Sequence, residues 1–354
     1  MTLTRGPQWR NRFALAPMTN RQSATDGTLA EDELDWLVRR AHGGFGLVMT
    51  CAAHVSRNGQ GWPGELGIFD DVQLPGLTRL ADALRAEGAV SCVQLHHGGM
   101  RADSTLVEHR VAPWSDPARG VHALTTAEIA DLVGDFVAAA VRAESAGFDG
   151  VQIHAAHGYL IAQFLDAVRN TRQDGYGGSA EGRSRFLREI VHGVRRHTGA
   201  DFQVGLRLSP ERWGIDLREA RELSEQMMVS GFIDYLDVSL WDVAKYPEDV
   251  LSDPRSLLDQ FTGLPRGDTR LGVAGKILSA ADAVRCLDGG ADFVSIGTGA
   301  ILHHDFANRA LTDPGFAATA PPVSTEYLLN ESVSRTFIDY LTEIDSDVVR
   351  SAVR

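Results

Sequence analysis

The sequence predicts a (β/α)8 barrel with a C-terminal helical tail, and three observations predict it. Short apolar runs alternate with amphipathic stretches eight times, the pattern of parallel strands joined by crossover helices. The 354 residues exceed the roughly 250 of a plain barrel and leave room for insertions and a tail. Polar residues gather at the carboxyl end of the candidate strands, where barrels carry their chemistry. An open doubly wound sheet is the structural alternative. Two medium domains would also fit the length, but no linker is visible, so residues 1–354 are read as one barrel domain.

The candidate strands are Phe13–Pro17, Gly46–Thr50, Val90–Leu95, Gly150–His154, Phe202–Leu208, Tyr235–Ser239, Arg270–Ala274 and Phe293–Ile296. Helical patterns lie between them at Glu31–Ala41, Gly76–Glu87, Thr126–Ala146, Arg183–Thr198, Leu217–Ser230 and Ala280–Leu287, with a weaker one near Ser256–Phe261. Thr126 and Ser279 read as N-caps, because a hydroxyl there can accept an otherwise unpaired helix N–H. Thr312–Arg354 follows the last unit as a mostly helical tail, suited to pack on the barrel or on a second copy in a homo-oligomer.

With 44% hydrophobic and 23% charged residues, the composition is that of an ordinary globular protein. A net charge of −13 argues against nucleic acid or an anionic membrane as partner, since both need a positive face. Three widely spaced cysteines, Cys51, Cys92 and Cys286, indicate neither a disulfide frame nor a metal cluster. The first twelve residues carry no apolar signal core, and no apolar run reaches the roughly 18 residues of a membrane span. A cytoplasmic setting and a small-molecule substrate are the expectations.

The densest chemistry lies in Gly150-Val-Gln-Ile-His-Ala-Ala-His-Gly-Tyr159. An apolar strand delivers His154 and His157 at its end, and Tyr159 follows. Two imidazole donors can hold a carbonyl or nitro oxygen as it gains negative charge, and a phenol can deliver a proton to carbon. The competing readings are a zinc pair or satisfied loop histidines. Against zinc, no third ligand follows at a usual spacing and no Glu lies between the pair, so no metal is expected.

This segment, continuing through Asn170-Thr-Arg-Gln-Asp-Gly-Tyr-Gly-Gly-Ser179, resembles the old yellow enzyme family of FMN-dependent ene-reductases. Asn11-Arg-Phe-Ala-Leu-Ala-Pro-Met-Thr19, Val93-Gln-Leu-His-His-Gly-Gly99, Leu124–Ile129 and Gly289-Gly-Ala-Asp-Phe-Val-Ser-Ile-Gly297 match in the same order, so the resemblance runs from about Asn11 to about Pro314. It implies that Pro17, Met18 and Thr19 line the flavin, with Cys51 a small residue beneath the ring. It places Gln94 at the pyrimidine edge and Arg207 where reduced flavin gathers negative charge. Gly275, Lys276, Gly297 and Thr298 would hold the phosphate, which agrees with the usual barrel phosphate site after strands seven and eight. On the residues alone Gln94 could be a core amide, Arg207 an interior ion-pair partner, Thr19 a turn cap and Lys276 an exposed loop cation. Two departures stand out: Thr298 occupies a place where the family commonly has Arg, and Arg21 one where a subgroup has Tyr.

The implied activity is two-part: NADH or NADPH reduces FMN, and the flavin then passes hydride to an activated alkene whose carbonyl lies between His154 and His157, with Tyr159 as proton donor. Arg21 at the mouth would favour an anionic substrate group. The absence of a Gly-x-Gly-x-x-Gly after a strand fits both substrates taking turns above one flavin. An FMN-dependent amine dehydrogenase or N-demethylase, with Trp241 in a cation-binding wall, is the alternative. A non-redox barrel enzyme is a third.

Overall fold

The computed structural model describes residues 1–249, 253–344 and 346–349. Eight parallel strands form the barrel: β1 (Phe13–Leu15), β2 (Leu47–His54), β3 (Val90–His96), β4 (Gly150–Ala155), β5 (Gln203–Leu208), β6 (Tyr235–Ser239), β7 (Arg270–Ala274) and β8 (Phe293–Ile296). Closure is made by β1, which pairs with β8 through Leu15–Ile296 and with β2 through Leu15–Val48. The fold is therefore the expected barrel and not an open sheet. All eight strands consist largely of buried residues, because one face packs inside the barrel and the other meets the helices.

The crossover helices are α1 (Glu31–His42), α2 (Leu74–Ala86), α3 (Thr126–Ser145), α4 (Ala180–His197), α5 (Leu217–Val229), α6 (Leu257–Thr262) and α7 (Ala280–Asp288). Their starts are set by side-chain caps. Ser179, Asp216, Ser256 and Ser279 each accept a backbone N–H from the first turn. For α3 the cap is Thr125, not Thr126, because Glu128 reaches back to the Thr125 N–H and completes a capping box. Strand β2 runs four residues beyond its expected end, and its pairing with β3 shifts register between Met49 and Ala52.

The amino-terminal end of the barrel is plugged. Trp9 lies fully buried with its ring 5.4 Å from Tyr235 and 5.1 Å from Phe293, both edge-on. Its indole N–H donates to Gln203 Oε1 at 3.0 Å, so the ring's polar edge is satisfied where its area is buried. Gly272 is required here, since a Cβ would fall 2.1 Å from the Phe293 ring.

After β8 come two short helices, α8 (Thr298–Leu302) and α9 (Phe306–Thr312), then α10 (Thr325–Asn330) and α11 (Arg335–Glu343). The tail packs on the barrel: Phe337 of α11 meets Trp36 of α1 edge-on at 5.1 Å. Its last residues, 350–354, and residue 345 lie outside those described. A short parallel pair, Arg110–Ala112 with Val121–Ala123, lies in the long connection before α3 and adds to the strands that the sequence predicts. Among the described residues, no helix is long and apolar enough to cross a membrane.

Candidate active site

A cavity of about 380 Å³ opens at the carboxyl ends of the strands. Its wall comes from Pro17, Met18 and Thr19 after β1, Ala52 of β2, Gln94 of β3 and His154 of β4. Loop residues Trp62, Arg101, His157, Tyr159, Trp213 and Trp241 complete it, with Tyr340 from α11. The backbone around this mouth is unusual. Six of the seven described non-glycine residues with positive φ lie here: Arg21, His157, Arg212, Trp213, Trp241 and Lys276. Side chains in that region cost conformational energy, so the surrounding structure must hold them.

His154 and His157 converge as their spacing promised. His157 turns back at φ 60, its N–H donating to Ser209 Oγ at 3.0 Å. Its Nε2 meets Ser239 Oγ at 2.8 Å, which leaves Nδ1 facing His154 Nε2 at 3.4 Å. Burial pushes both pKa values down, His157 to about 3, with Arg207 adding repulsion there and His157 adding it at His154. Both rings are therefore neutral at pH 7. Each neutral imidazole carries one N–H, so an oxygen seated between the facing nitrogens could accept from both. Tyr159 lies beside them, 5.4 Å ring to ring from His154, with its pKa pushed up to about 12 by burial.

Behind Tyr159 is a pair that the sequence reading did not single out. His96 Nδ1 meets Glu65 Oε1 at 2.6 Å with both side chains fully buried, and the His96 ring packs edge-on against Tyr159 at 4.3 Å. Burial raises Glu65 to about 8 and lowers His96 to about 3, so both are held neutral.

Gln94 donates from Nε2 to Gln152 Oε1 at 2.8 Å, and no hydrogen bond to its own Oε1 is made among the described residues. Arg207 lies 3.5 Å from the buried Asp237 carboxylate without hydrogen-bond geometry, and its Nε and Nη1 have no partner among the described residues. Gly275, at φ 150, follows β7; a Cβ there would fall 2.7 Å from the Trp241 carbonyl carbon. Lys276 is exposed and lies 3.4 Å from Asp242, while Gly297 and Thr298 open α8 after β8.

Two expectations need correction. Cys51 does not reach the cavity: strand alternation turns it into the outer core, where burial and then Glu33 raise its thiol pKa well above normal, and Ala52 takes the inward place. Arg21 is held by Glu343 of α11 at 2.5 Å and stacks over Tyr340 at 4.6 Å, so its charge is already partnered and Tyr340, not Arg21, lines the cavity. Trp241 does line it, with the Arg212 guanidinium 4.7 Å over its ring.

The chain matches the NADH:flavin oxidoreductase / NADH oxidase family over residues 5–312. This chain belongs to that family. Its curated relatives include a Bacillus subtilis (strain 168) protein, "Probable NADH-dependent flavin oxidoreductase YqiG", 38% identical over 84% of this chain and 82% of that one. Another is the NADH:fumarate oxidoreductase of Klebsiella pneumoniae (strain 342), 33% identical over 87% of this chain; the match spans only 35% of that longer protein. Among solved structures, the old yellow enzyme homologue from Zymomonas mobilis superimposes with TM-score 0.79 at 26% identity, over 92% of this chain and 95% of that one. Morphinone reductase in complex with tetrahydroNAD gives 0.74 at 28% identity, over 90% of each.

The protein is thus an NAD(P)H:flavin oxidoreductase of the old yellow enzyme family, with FMN as cofactor. Its residues fit that flavin. The orphaned guanidinium nitrogens of Arg207 are buried polar groups that lack hydrogen-bond partners a flavin's polar edge can supply, and Gln94 on the cavity wall keeps its amide oxygen free of hydrogen bonds among the described residues. Of the cavity residues absent from the sequence reading, Arg101 had a visible signal, a cation two residues past the Val93–Gly99 motif. Tyr340 had none, because it reaches the site from the far end of the chain.

Proposed function

We propose that this oxidoreductase reduces the C=C bond of α,β-unsaturated carbonyl or nitro compounds. The observation that carries this is the pair of neutral imidazole nitrogens facing each other at 3.4 Å on the cavity wall, with Tyr159 beside them. FMN held in this cavity would supply hydride transfer between NADH or NADPH and the substrate. In this reading His154 and His157 receive the substrate oxygen and stabilise the charge it gains as the alkene is attacked. In the tautomer this reading requires, Ser239 Oγ, 2.8 Å from His157 Nε2, donates to it and leaves the proton on Nδ1, the nitrogen that faces His154. Tyr159 donates its proton to the carbon next to the carbonyl, and Trp62 and the His96–Glu65 pair fix its ring. Pro17, Met18, Thr19 and Ala52 would line the flavin, Gln94 and Arg207 would bond its polar edge, and Gly275, Lys276, Gly297 and Thr298 would hold its phosphate.

The amine-oxidising alternative is less well supported. The Trp241 face that would receive a cationic amine already carries Arg212, and a second guanidinium, that of Arg101, lines the same cavity. The test is an anaerobic titration. A small enone should reoxidise protein reduced with NADH or NADPH, and an N-methylated amine should leave oxidised protein unchanged. His154→Ala and His157→Ala should each slow enone reduction on the order of 100-fold. Reduction of the oxidised protein by the amine, or enone rates untouched in both variants, would overturn the reading.

A further inference from the structure

We infer that Arg101 is an anion-binding residue of the substrate pocket, and that the preferred substrates carry a carboxylate beside the activated alkene. The inference rests on the alkene-reducing reading above. Arg101 follows β3 and sits on the cavity wall next to Tyr159, its guanidinium carbon 4.6 Å over the phenol ring. One of its nitrogens donates to the His157 carbonyl oxygen. These two contacts orient the guanidinium, and neither neutralises it.

The charge balance around it is uneven. Among the described residues no carboxylate lies within ion-pair distance of Arg101, although Arg21 and Arg212 nearby each have one. The cavity lining holds one permanent cation, Arg101, and no acidic residue. In a chain of net charge −13, a mouth lined without a single Asp or Glu marks a region kept clear of negative charge. The two wall histidines are neutral, and Glu65 behind Tyr159 is held protonated near neutral pH, so none of these competes for the guanidinium.

Geometry then orders the ligand. A carbonyl oxygen at the histidine pair places the alkene near Tyr159, and Arg101 stacks over Tyr159 on the same cavity wall. A planar guanidinium fork suits a carboxylate, which can accept from two of its N–H groups. Because Arg101 is solvent-exposed, the gain is that of a partly screened pair, and the expected effect of losing it is about tenfold in affinity.

The experiment compares two near-isosteric phenols on the FMN-loaded protein, 4-hydroxybenzoate and 4-hydroxybenzamide. Dissociation constants are read from the flavin absorbance change and, independently, from calorimetry. Arg101→Gln should lower the benzoate-to-benzamide affinity ratio about tenfold. Arg101→Lys should restore most of it, and raising salt should narrow the ratio in wild type and Arg101→Lys but not in Arg101→Gln. A ratio unchanged in Arg101→Gln overturns the role of Arg101. So does a rise confined to the dissociation constant for NADH or NADPH, which would assign the guanidinium to a nucleotide phosphate. Failure of the underlying reading looks different: 4-hydroxybenzamide would then bind wild type and His154→Ala equally.

Discussion

Arg207 and Asp237 share a buried position where neither is well satisfied. The guanidinium is 6% exposed and the carboxylate fully buried, so burial raises the Asp237 pKa while Arg207 opposes that rise. If Arg207 meets the flavin edge as proposed, replacing it by Met removes a charged donor there and should weaken FMN retention by about 1.5–3 kcal/mol. The substitution also strands the buried Asp237 carboxylate at a cost in stability, so adding Asp237→Asn should recover stability without recovering flavin affinity. Recovery of both would assign Arg207 to structure alone. Tyr159→Phe separates the two half-reactions: NADH or NADPH should still reduce the flavin at near wild-type rate, with enone reduction slowed. Equal enone rates would make solvent the proton source. At this scale the sequence was informative where chemistry demanded a spacing, as at His154, His157 and Tyr159, and where one residue closed one strand, as at Gln94. It misled at Cys51, because strand alternation beyond the expected end of β2 puts Ala52 inward. It misled at Arg21, whose partner Glu343 lies 322 residues away, a distance over which no local pattern reports.

Among elements, the turn after β3 offers a test of protonation. His97 is buried; its Nε2 lies 3.2 Å from Asn58 Oδ1 and its Nδ1 accepts from the Gly99 N–H at 3.0 Å. The ring is fixed in one neutral tautomer, and burial lowers its pKa to about 3, against 6.5 for the free side chain. The unfolded chain therefore takes up a proton as pH falls below 6.5, whereas the folded chain does not until about 3. Stability from this group is complete above pH 6.5 and falls as pH drops, at up to about 1.4 kcal/mol per pH unit. The melting temperature of His97→Gln should accordingly fall less steeply than that of wild type between pH 7 and 5; parallel curves would show that His97 does not titrate in this way. Glu65 has the opposite sign. Its pKa is raised to about 8, so its contribution is lost as pH rises from 4.5 towards 8. At the other end of the barrel, Gly272→Ala should cost about 1–3 kcal/mol by driving a methyl into Phe293, measurable by denaturant unfolding, with no change in the flavin spectrum. The ends of β6, β7 and β8 were legible because apolar runs there are bounded by turn residues. The short pair Arg110–Ala112 and Val121–Ala123 was not, since three-residue strands carry no periodicity to read.

For the whole molecule, the tail is part of the site rather than an appendage. Phe337, Ile338 and Leu341 of α11 are buried, and Tyr340 reaches the cavity between them and Arg21. Deleting the chain after residue 332 should lower the melting temperature by several degrees or more, since each such side chain contributes about 1.5–3 kcal/mol. The same deletion should leave the FMN content of folded protein near wild type and weaken phenol binding; loss of FMN in step with phenol affinity would show that the tail supports the flavin site as well. The eightfold alternation made the barrel readable from sequence, but not which loops meet above it.

Because β1 closes the barrel by pairing with β8 as well as with β2, residues 13–15 can meet β2 early but must wait for residues 294–296 before their hydrogen bonds are complete. On the ribosome this means that the first strand emerges long before its second neighbour, and Tyr340 later still. The pocket wall is completed by a segment that follows every strand of the barrel, so a chain that stalls before it can hold most of a barrel and still have no finished place for a substrate.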